Sequence, residues 1–323
     1  MAAVDLAGWT LVRVYANRGE PVVEWALVDG PFADSFFEQT ANRAMQQPFN
    51  AVFARRTPIA TLEERHRNAP GLAPAGFIFH MSRCGSTLIS QTLAGLSSTI
   101  VLSEPQPLDA ILRLRGATPA VSEETRVGWL RAMTSALGQP RDAEQRLFVK
   151  FNAWHVRELP LIARAFPGVP WIFVFREPRD VVRSQQRSPG AEFVAGSMNP
   201  ALVGLAAGDL HTLSPDEYGI RVLAAFCDAA LRAKGIGRGA FFDYAGLPDA
   251  TLSAVPAFFG ISPTPVEMSR MSDATKRDAK NPAQTFRQRP QEPLPADVER
   301  LIERWLDAPY AALRNASRTA ARL

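Results

Sequence analysis

Two short segments of the chain carry side chains that suit an anionic ligand. The first, residues 82–87, reads Ser-Arg-Cys-Gly-Ser-Thr and lies between a strand-like run and a helical pattern. The second, residues 176–184, begins with Arg176, ends with Ser184 and also follows a strand-like run. Glycine lets a backbone approach an anion, and the start of a helix supplies unpaired N–H groups. Arginine adds a full charge with bidentate geometry. Both segments are therefore candidate sites for phosphate or sulfate groups.

The elements that must position these side chains alternate between strand and helix from Gly76 onward. Four apolar runs predict strands buried on both faces of a sheet: 77–81, 99–102, 147–150 and 171–175. A later strand is predicted at 240–244. Predicted helices of the later part of the chain are 215–234 and 296–314. This order predicts an α/β fold, a three-layer parallel sheet flanked by helices. Ligands of such sheets bind beyond the carboxyl ends of the strands, where both candidate segments lie.

The first part of the chain has a different pattern. Its predicted elements are two strands around a turn, followed by a helix: 9–15, 17–20, 22–28 and 36–44. Residues 64–74 contain charges, glycine and two prolines, which is typical of a linker. We therefore predict a small β-rich N-terminal appendage of unassigned role, residues 1–72, and a main domain, residues 73–323.

Composition narrows the class of protein. The chain has 323 residues, of which 46% are hydrophobic and 21% charged, which predicts one large globular domain or one domain plus a smaller one. A net charge of +4 does not indicate a nucleic-acid partner. Two cysteines, Cys84 and Cys227, cannot form a disulfide framework, and four scattered histidines predict no metal site. Without a leader pattern or an 18-residue apolar stretch, we expect a soluble, cytoplasmic protein with no transmembrane segment.

The first segment is not the phosphate-binding loop of nucleoside-triphosphate kinases. That loop needs a glycine five residues before Gly85 and a lysine directly after it. His80 and Ser86 occupy these positions. No convincing pair of carboxylates for magnesium follows a predicted strand. A P-loop kinase therefore stays as the least favoured interpretation.

Residues 82–87 resemble the first phosphosulfate loop of the sulfotransferase superfamily, which reads Pro-Lys-Ser-Gly-Thr-Thr or Pro-Arg-Ser-Gly-Ser-Thr. Ser82 replaces the proline and Cys84 the serine. The resemblance implies that Arg83 stabilises the bridging oxygen of 3′-phosphoadenosine-5′-phosphosulfate (PAPS). It also implies that one loop holds the phosphosulfate end, through Arg83, Cys84, Gly85, Ser86 and Thr87. In this loop the backbone N–H of Cys84 can bind the anion as well as that of serine. The alternative is that Cys84 is a reactive nucleophile.

Residues 176–184 resemble the superfamily's 3′-phosphate signature, Arg-x-Pro-x-Asp, with serine eight residues after the arginine. The resemblance implies that Arg176 and Ser184 bind the 3′-phosphate of PAPS. Arg179, Arg183 and Arg187 are also consistent with a solvated helix surface. Two further segments, 149–155 and 241–247, resemble superfamily stretches, so that the resemblance covers about residues 76–260.

Sulfuryl transfer requires a base that accepts the proton of the acceptor hydroxyl or amine. Glu104, in a Glu-Pro pair after the second strand of the main domain, resembles the Glu-Pro of carbohydrate and bacterial trehalose-type sulfotransferases and is preferred. His155 is the alternative, because phenol and steroid enzymes use a histidine after the third strand. Lys150, at the end of that third strand, is a catalytic candidate as a small, strongly hydrated charge that meets sulfate or phosphate.

A basic stretch near the C-terminus is the counterpart of the superfamily's Arg-Lys-Gly segment, although the motif itself is absent. We assign Lys276, Arg277 and Lys280 to the 3′-phosphate, with a solvated charge run as the equal alternative.

The sequence thus predicts a metal-independent, PAPS-dependent sulfotransferase that yields 3′,5′-adenosine diphosphate. A noncatalytic nucleotide-binding or scaffold protein is the second interpretation. The acceptor stays open among small molecules, carbohydrates and lipids, and so does the oligomeric state. Its pocket is expected to lie between 107–146 and a mobile lid at 190–213.

Overall fold

A computed structural model describes residues 5–17, 20–115, 121–285 and 292–320 of the chain. Its main sheet has five parallel strands, ordered β5-β6-β4-β7-β8. The strands are β4 (Pro74–His80), β5 (Thr99–Ser103), β6 (Arg146–Lys150), β7 (Trp171–Phe175) and β8 (Gly239–Asp243). A separate antiparallel sheet is formed by β1 (Trp9–Asn17), β2 (Glu20–Leu27) and β3 (Arg55–Pro58). The predicted fold class is therefore confirmed.

Helices cover both faces of the main sheet and join the strands. Over the described ranges they are α1 (Phe37–Met45), α2 (Pro48–Phe53), α3 (Ala60–Asn68), α4 (Ser86–Ala94), α5 (Gln106–Leu112), α6 (Glu123–Leu137), α7 (Leu159–Ala165), α8 (Pro178–Arg187), α9 (Pro200–Val203), α10 (Asp209–Thr212), α11 (Pro215–Arg232), α12 (Asp249–Leu252), α13 (Ala254–Phe258), α14 (Pro265–Thr275), α15 (Ala296–Trp305) and α16 (Asp307–Ala320). Short 3₁₀ helices occupy Ala153–Glu158, Ala191–Phe193, Ala233–Gly235 and Tyr244–Gly246.

The strand order creates a switch point at β4. After β4 the chain crosses to β5 and returns to β6, and it then passes to β7 on the other side of β4. The loops that leave β4 and β7 therefore diverge from neighbouring strands and open a crevice at the carboxyl edge. Aromatic packing fixes these strands, because the Phe79 and Phe151 rings stack with centroids 4.9 Å apart. All five side chains of β7 are buried.

Residues 1–72 pack directly on the first helices of the main domain. The side chain of Gln106 on α5 accepts from the backbone N–H of Val14 at 3.1 Å and donates to its carbonyl at 3.0 Å. Helix α3 packs against α6, and the N–H of Gly71 donates to the Ser135 hydroxyl at 2.8 Å. Side chains of both parts contribute to one buried apolar core.

Two details of the sequence prediction differ in the structure, and a third is not described by it. The predicted linker 64–74 is helical up to Asn68, because α3 buries Leu62 against the core. The predicted C-terminal helix is two helices, α15 and α16. Pro309 lies in the first turn of α16, where it lacks the N–H that a continuous helix would need. The predicted turn at 17–20 includes residues 18 and 19, which lie outside the described residues.

Within the described ranges, no helix combines the length and apolarity needed to cross a bilayer. Over the same residues, no three His, Cys, Asp or Glu side chains come together in a group suited to a metal ion.

Candidate active site

The loop between β4 and α4 has an unusual backbone conformation. Ser82 and Arg83 have φ angles of 78° and 50°, and Glu104, after the neighbouring strand β5, has 57°. Among the described residues these are the non-glycine residues with positive φ. Such conformations cost about 1–3 kcal/mol each and cluster at functional sites. The carboxyl edge of the sheet is therefore strained where the sequence predicted a ligand site.

His80, at the end of β4, stabilises this loop from below. Its Nδ1 accepts the backbone N–H of Ser82 at 3.0 Å, so the ring proton is on Nε2, which lies 3.0 Å from the carbonyl of Phe151. Burial lowers the pKa of His80 and keeps the imidazole neutral. From above, the amide of Gln185 on α8 donates to the Ser82 hydroxyl at 2.9 Å. This hydrogen bond joins the first segment to α8, the helix that contains most of the second segment.

Cys84 lies inside the loop and faces the sheet. Its thiol is buried and donates to the carbonyl of Val174 at 3.1 Å. Burial raises the pKa of Cys84 to about 12, so the thiol stays protonated at neutral pH. This environment is that of a structural cysteine, and it does not support the alternative of a reactive nucleophile.

Gly85 begins α4 in the left-handed region, with φ 84°. A Cβ there would lie 2.7 Å from Leu247 Cδ1 and 2.9 Å from Tyr244 Cδ2, so a larger residue would displace these side chains. Ser86 and Thr87 form the first turn of α4 and are buried. The loop therefore directs the unpaired N–H groups of a nine-residue helix toward the carboxyl edge.

Arg176 follows β7 and is held in place on two sides. Its guanidinium donates to Asp180 Oδ2 from Nη2 at 2.9 Å and from Nε at 3.2 Å, and it stacks 4.1 Å from the ring centroid of Tyr244. Ser184 lies two turns further along α8 and is half-buried. The structure thus confirms that the second segment is a strand end followed by a helix with Pro178 in its first turn.

The other arginines of α8 have structural contacts. Arg179 donates to Glu299 Oε2 at 2.8 Å and to Asp307 Oδ1 at 2.9 Å, which ties α8 to α15 and α16. Hydrogen bonds with Asp307 raise the pKa of Arg179. Arg183 donates to Asp180 Oδ1 at 3.2 Å.

Arg83 extends from the first loop to the end of α8. Its Nη2 donates to the carbonyl of Ser188, and the Ser188 hydroxyl lies 3.2 Å away. Burial lowers the pKa of Arg83, while the charges of Glu192 and Glu104 act in the opposite direction. A guanidinium remains charged despite this shift. Arg83 therefore brings a partly desolvated positive charge between the two segments.

Glu104 and Lys150 form an ion pair at the ends of β5 and β6. The Lys150 ammonium is fully buried, contacts the Glu104 carboxylate directly and lies 3.3 Å from the Ser103 hydroxyl. The Glu104 side chain is 24% exposed. Burial raises the pKa of Glu104, but attraction by the charge of Lys150 and hydrogen bonding by the nearby His80 outweigh it and hold that pKa well below its usual range. Glu104 is thus an ionised carboxylate that reaches the carboxyl edge.

His155 lies in a different environment. Its Nδ1 accepts the backbone N–H of Asn152 at 3.2 Å, and its Nε2 lies 3.0 Å from Asp109 Oδ1. Asp109 also accepts from the indole of Trp154 at 3.1 Å. His155 is buried at the start of the 3₁₀ helix after β6, and both ring nitrogens have protein partners. Of the two candidate bases, the Glu104 side chain is therefore the more exposed, and His155 supports the turn.

The three basic residues near the C-terminus occupy different environments. Lys276 is exposed and pairs with Asp273 at 2.8 Å, and Arg277 is exposed beside a bridge to Thr285. Lys280, although its side chain is largely exposed, differs from both. Partial desolvation and the positive charges of Arg83 and Lys150 lower the pKa of Lys280 to about 8. Only Lys280 of these three thus shows electrostatic coupling to the loop and the Glu104 pair.

Sequence reasoning missed several residues that shape this site. His80, Gln185 and Tyr244 support the two segments through the contacts described above. Glu192, in the 3₁₀ turn after α8, is a further carboxyl group. Burial raises the pKa of Glu192, and its charge interacts with those of Glu104 and Arg83. The position of His80 at the end of the strand before the loop could have identified it as a site residue from sequence. Glu192 and Gln185 had no such signal, because their partners are distant in the chain.

An α/β protein with a crevice at the carboxyl edge of its parallel sheet is the class that this fold defines. No family model matches the chain, and no curated protein matches it. Solved structures to which the chain is similar include three sulfotransferases.

The sulfotransferase domain from the curacin biosynthetic pathway is 20% identical, over 72% of this chain and 98% of that one, with a TM-score of 0.42. Sulfotransferase STF9 from Mycobacterium avium is 16% identical, over 87% of this chain and 93% of that one, with a TM-score of 0.47. A sulfotransferase from Alicyclobacillus acidocaldarius is 14% identical, over 77% of this chain and 99% of that one, with a TM-score of 0.45. At this level of similarity, the function of this chain has to be argued from its own residues.

Proposed function

We propose that this chain is a sulfotransferase that transfers a sulfuryl group from PAPS to a hydroxyl or amine of an acceptor. The observation that carries the proposal is the convergence of two anion-binding segments on the carboxyl edge at β4, beside an ionised Glu104. The segments contribute Arg83, Arg176 and the start of α4, and hydrogen bonds from Gln185 and Arg83 join them. This set of donors suits a ligand with anionic groups at two ends.

The charges of the site fit PAPS better than a neutral ligand. Partial desolvation and repulsion by the charges of Arg83 and Lys150 lower the pKa of Lys280. A polyanion between them would relieve this repulsion. The tight approach of Tyr244 and Leu247 to Gly85 further supports a loop shaped for backbone contact.

Each residue has a separate part in the proposed reaction. PAPS supplies the sulfuryl group on a phosphate oxygen that leaves as 3′,5′-adenosine diphosphate. Arg83, Lys150 and the N–H groups of α4 stabilise charge at the sulfuryl and leaving oxygens. Arg176 and Ser184 hold the 3′-phosphate, with Lys280 as a further cation. Glu104 takes the proton that the acceptor loses as its new oxygen–sulfur or nitrogen–sulfur bond forms.

Thermal unfolding with nucleotides tests the proposal. We expect 3′,5′-adenosine diphosphate to stabilise the chain without magnesium, by about 2.7 kcal/mol at a concentration of 100 times Kd. Arg176→Met should abolish most of this stabilisation. Arg164→Met is the matched control, since Arg164 also contacts carboxylates but is exposed on the surface.

Turnover separates the remaining possibilities. Release of 3′,5′-adenosine diphosphate from PAPS in the presence of a mixed set of hydroxyl and amine acceptors is the expected result. Nucleotide binding without turnover for any acceptor would favour the noncatalytic interpretation. Stabilisation by ATP with magnesium, and not by 3′,5′-adenosine diphosphate, would replace the proposal with a kinase.

A further inference from the structure

A segment of the N-terminal part of the chain reaches the candidate active site. Asp34, Ser35 and Phe36 lie between β2 and α1, within the appendage to which the sequence assigned no role. Ser35 is buried and Phe36 half-buried. We name these three residues the 34–36 segment. Each of its residues contacts a main-domain residue, namely Gln91, Ala279 or Lys150.

Phe36 contacts the buried lysine of the site. The Lys150 ammonium lies 4.9 Å from the centroid of the Phe36 ring, which is cation–π distance. The other neighbours of this ammonium are Glu104 and Ser103. Phe36 therefore adds an aromatic contact to these two polar contacts of the Lys150 ammonium. A fully buried ammonium gains most from such a contact, because solvent does not screen it.

Ser35 holds the loop that carries Lys280. Its hydroxyl donates to the carbonyl of Ala279 at 2.7 Å, directly before Lys280 in the chain. The donor and acceptor are 244 residues apart. Local structure near Lys280 is otherwise a short turn around Asp278, which accepts from the N–H groups of Lys280 and Asn281.

Asp34 anchors the segment to the helix of the first loop. Its carbonyl accepts from the Gln91 amide on α4 at 3.2 Å. Its carboxylate bonds the Thr40 hydroxyl at 2.5 Å and the Arg43 guanidinium, both on α1. Hydrogen bonds to Arg43 lower the pKa of Asp34, so that the carboxylate stays ionised at neutral pH. The segment is thus fixed on α1 and α4 while it contacts Lys150 and the Lys280 loop.

From these contacts we infer that the 34–36 segment is a positioning element of the PAPS site: Ser35 holds Lys280 toward the ligand, and Phe36 fixes the ammonium of Lys150. This inference rests on the proposed function. It gives the N-terminal part of the chain a role in cofactor binding, through residues that do not touch the reacting atoms themselves.

Calorimetric titration with 3′,5′-adenosine diphosphate tests the role of Ser35. Loss of one hydrogen bond is worth about 0.5–1.5 kcal/mol, so Ser35→Ala should raise the Kd roughly two- to tenfold. Ser253→Ala is the matched control, because the Ser253 hydroxyl donates to a backbone carbonyl at 2.9 Å on an exposed turn. Its Kd should equal that of the unmodified chain.

A double-mutant cycle identifies how Ser35 acts. If Ser35 acts by holding Lys280, then Ser35→Ala should not raise the Kd further in a Lys280→Met background. Fully additive effects of the two changes would overturn this mechanism, and so would an unchanged Kd in Ser35→Ala. Thermal unfolding of each variant without ligand shows that the comparison is made on folded protein.

Substitutions of Phe36 test the contact between its ring and Lys150. Phe36→Leu removes the cation–π contact and should lower kcat/KM for PAPS roughly 2- to 30-fold, whereas Phe36→Tyr keeps an aromatic face and should restore it. Phe49→Leu, an exposed phenylalanine of the same N-terminal part, is the control. Equal kcat/KM in Phe36→Leu and Phe36→Tyr would overturn the role of Phe36. Failure of the unmodified chain to bind 3′,5′-adenosine diphosphate would instead overturn the proposed function.

Discussion

At the scale of single residues, the proposed function assigns the proton-transfer step to Glu104. We expect Glu104→Gln to reduce kcat by about 10²- to 10⁴-fold, which is the usual contribution of a general base. Binding of 3′,5′-adenosine diphosphate should be no weaker, because the change removes a negative charge near the anion. Single-turnover kinetics and calorimetric titration measure the two effects separately. Near-normal turnover in this variant would exclude Glu104 and move the role to His155 or Glu192.

The pH profile of kcat/KM distinguishes Glu104 from Glu192 as the general base. A general base works only when it is deprotonated, so the rate falls as the pH drops through its pKa. Lys150 and His80 hold the pKa of Glu104 below its usual range. The acid limb should therefore lie below about pH 4.3, the ordinary value for glutamate. Burial raises the pKa of Glu192, so an acid limb above that value would point to Glu192 instead.

Lys280 should make cofactor binding depend on pH in the alkaline range. Its pKa is lowered to about 8 by partial desolvation and by the charges of Arg83 and Lys150. Below pH 8 the ammonium is protonated and attracts the anion. As the pH rises through 8 the unliganded protein loses this charge, so the Kd for 3′,5′-adenosine diphosphate should increase between pH 7 and 9.

Two variants show whether Lys280 causes this pH dependence. Lys280→Arg keeps its charge over the whole range, so its Kd should stay level between pH 7 and 9. Lys276→Gln changes an exposed lysine that pairs with Asp273, and it should retain the increase. An increase that persists in Lys280→Arg would assign the titration to another group.

Helix α8 connects the two segments at the scale of structural elements. Gln185 donates to the Ser82 hydroxyl and accepts the N–H of Gly190, both at 2.9 Å, and it is buried. Without the Gln185 amide, the Ser82 hydroxyl loses its hydrogen bond to α8, next to the strained backbone of the first loop. Gln185→Ala should lower the free energy of unfolding by about 1–3 kcal/mol, since it leaves buried polar groups unsatisfied. It should also weaken binding of 3′,5′-adenosine diphosphate.

The neighbouring residue provides the control for this prediction. Gln186 is exposed and donates to Asp216 at 2.9 Å. Gln186→Ala should change the free energy of unfolding by less than about 0.5 kcal/mol. Urea denaturation of both variants, with and without nucleotide, makes the comparison. Equal stability of the two variants would mean that α8 does not hold the first loop through Gln185.

The elements themselves were largely predictable from sequence. Continuous apolar runs identified four strands of the main sheet, because strands buried on both faces need no polar alternation. The shorter apolar run of β8 was also recognised, although β8 is only partly buried. Pro178 and the strand before Arg176 located α8. The division of the C-terminal helix was missed, although Pro309 was a signal for it. Strand β3 was also missed, since its four residues, Arg55–Pro58, have no apolar run.

The supporting contacts of the site were not predictable from sequence. The Gln185–Ser82 bond joins residues 103 apart, and the Ser35–Ala279 bond joins residues 244 apart. Their pairing depends on the three-dimensional path of the chain and not on a local pattern. The sequence pattern assigned Lys276, Arg277 and Lys280 to the same ligand group. In the structure Lys276 pairs with Asp273, whereas the charges of Arg83 and Lys150 act on Lys280.

At the scale of the whole molecule, residues 1–72 are closely joined to the main domain. Val14 bonds Gln106 through both its N–H and its carbonyl. Arg141, in the loop before β6, donates to the Thr10 hydroxyl at 3.0 Å and to the carbonyl of Gly30 at 2.5 Å. Its guanidinium also lies 4.2 Å from the ring centroid of Phe32. These contacts are spread over β1, the segment before α1 and the helices of the main domain.

We therefore expect the whole chain to unfold in one cooperative calorimetric transition, which 3′,5′-adenosine diphosphate shifts upward. A chain that begins at residue 73 would expose the surfaces of α5 and α6 that pack on β1 and α3, and it would lack the 34–36 segment. It should show no cooperative transition and no nucleotide binding. A truncated chain that unfolds cooperatively and binds 3′,5′-adenosine diphosphate with the affinity of the whole chain would show that residues 1–72 are an independent appendage. Intermediate behaviour, with folding retained and affinity reduced, would locate the contribution of this part in the site and not in the core.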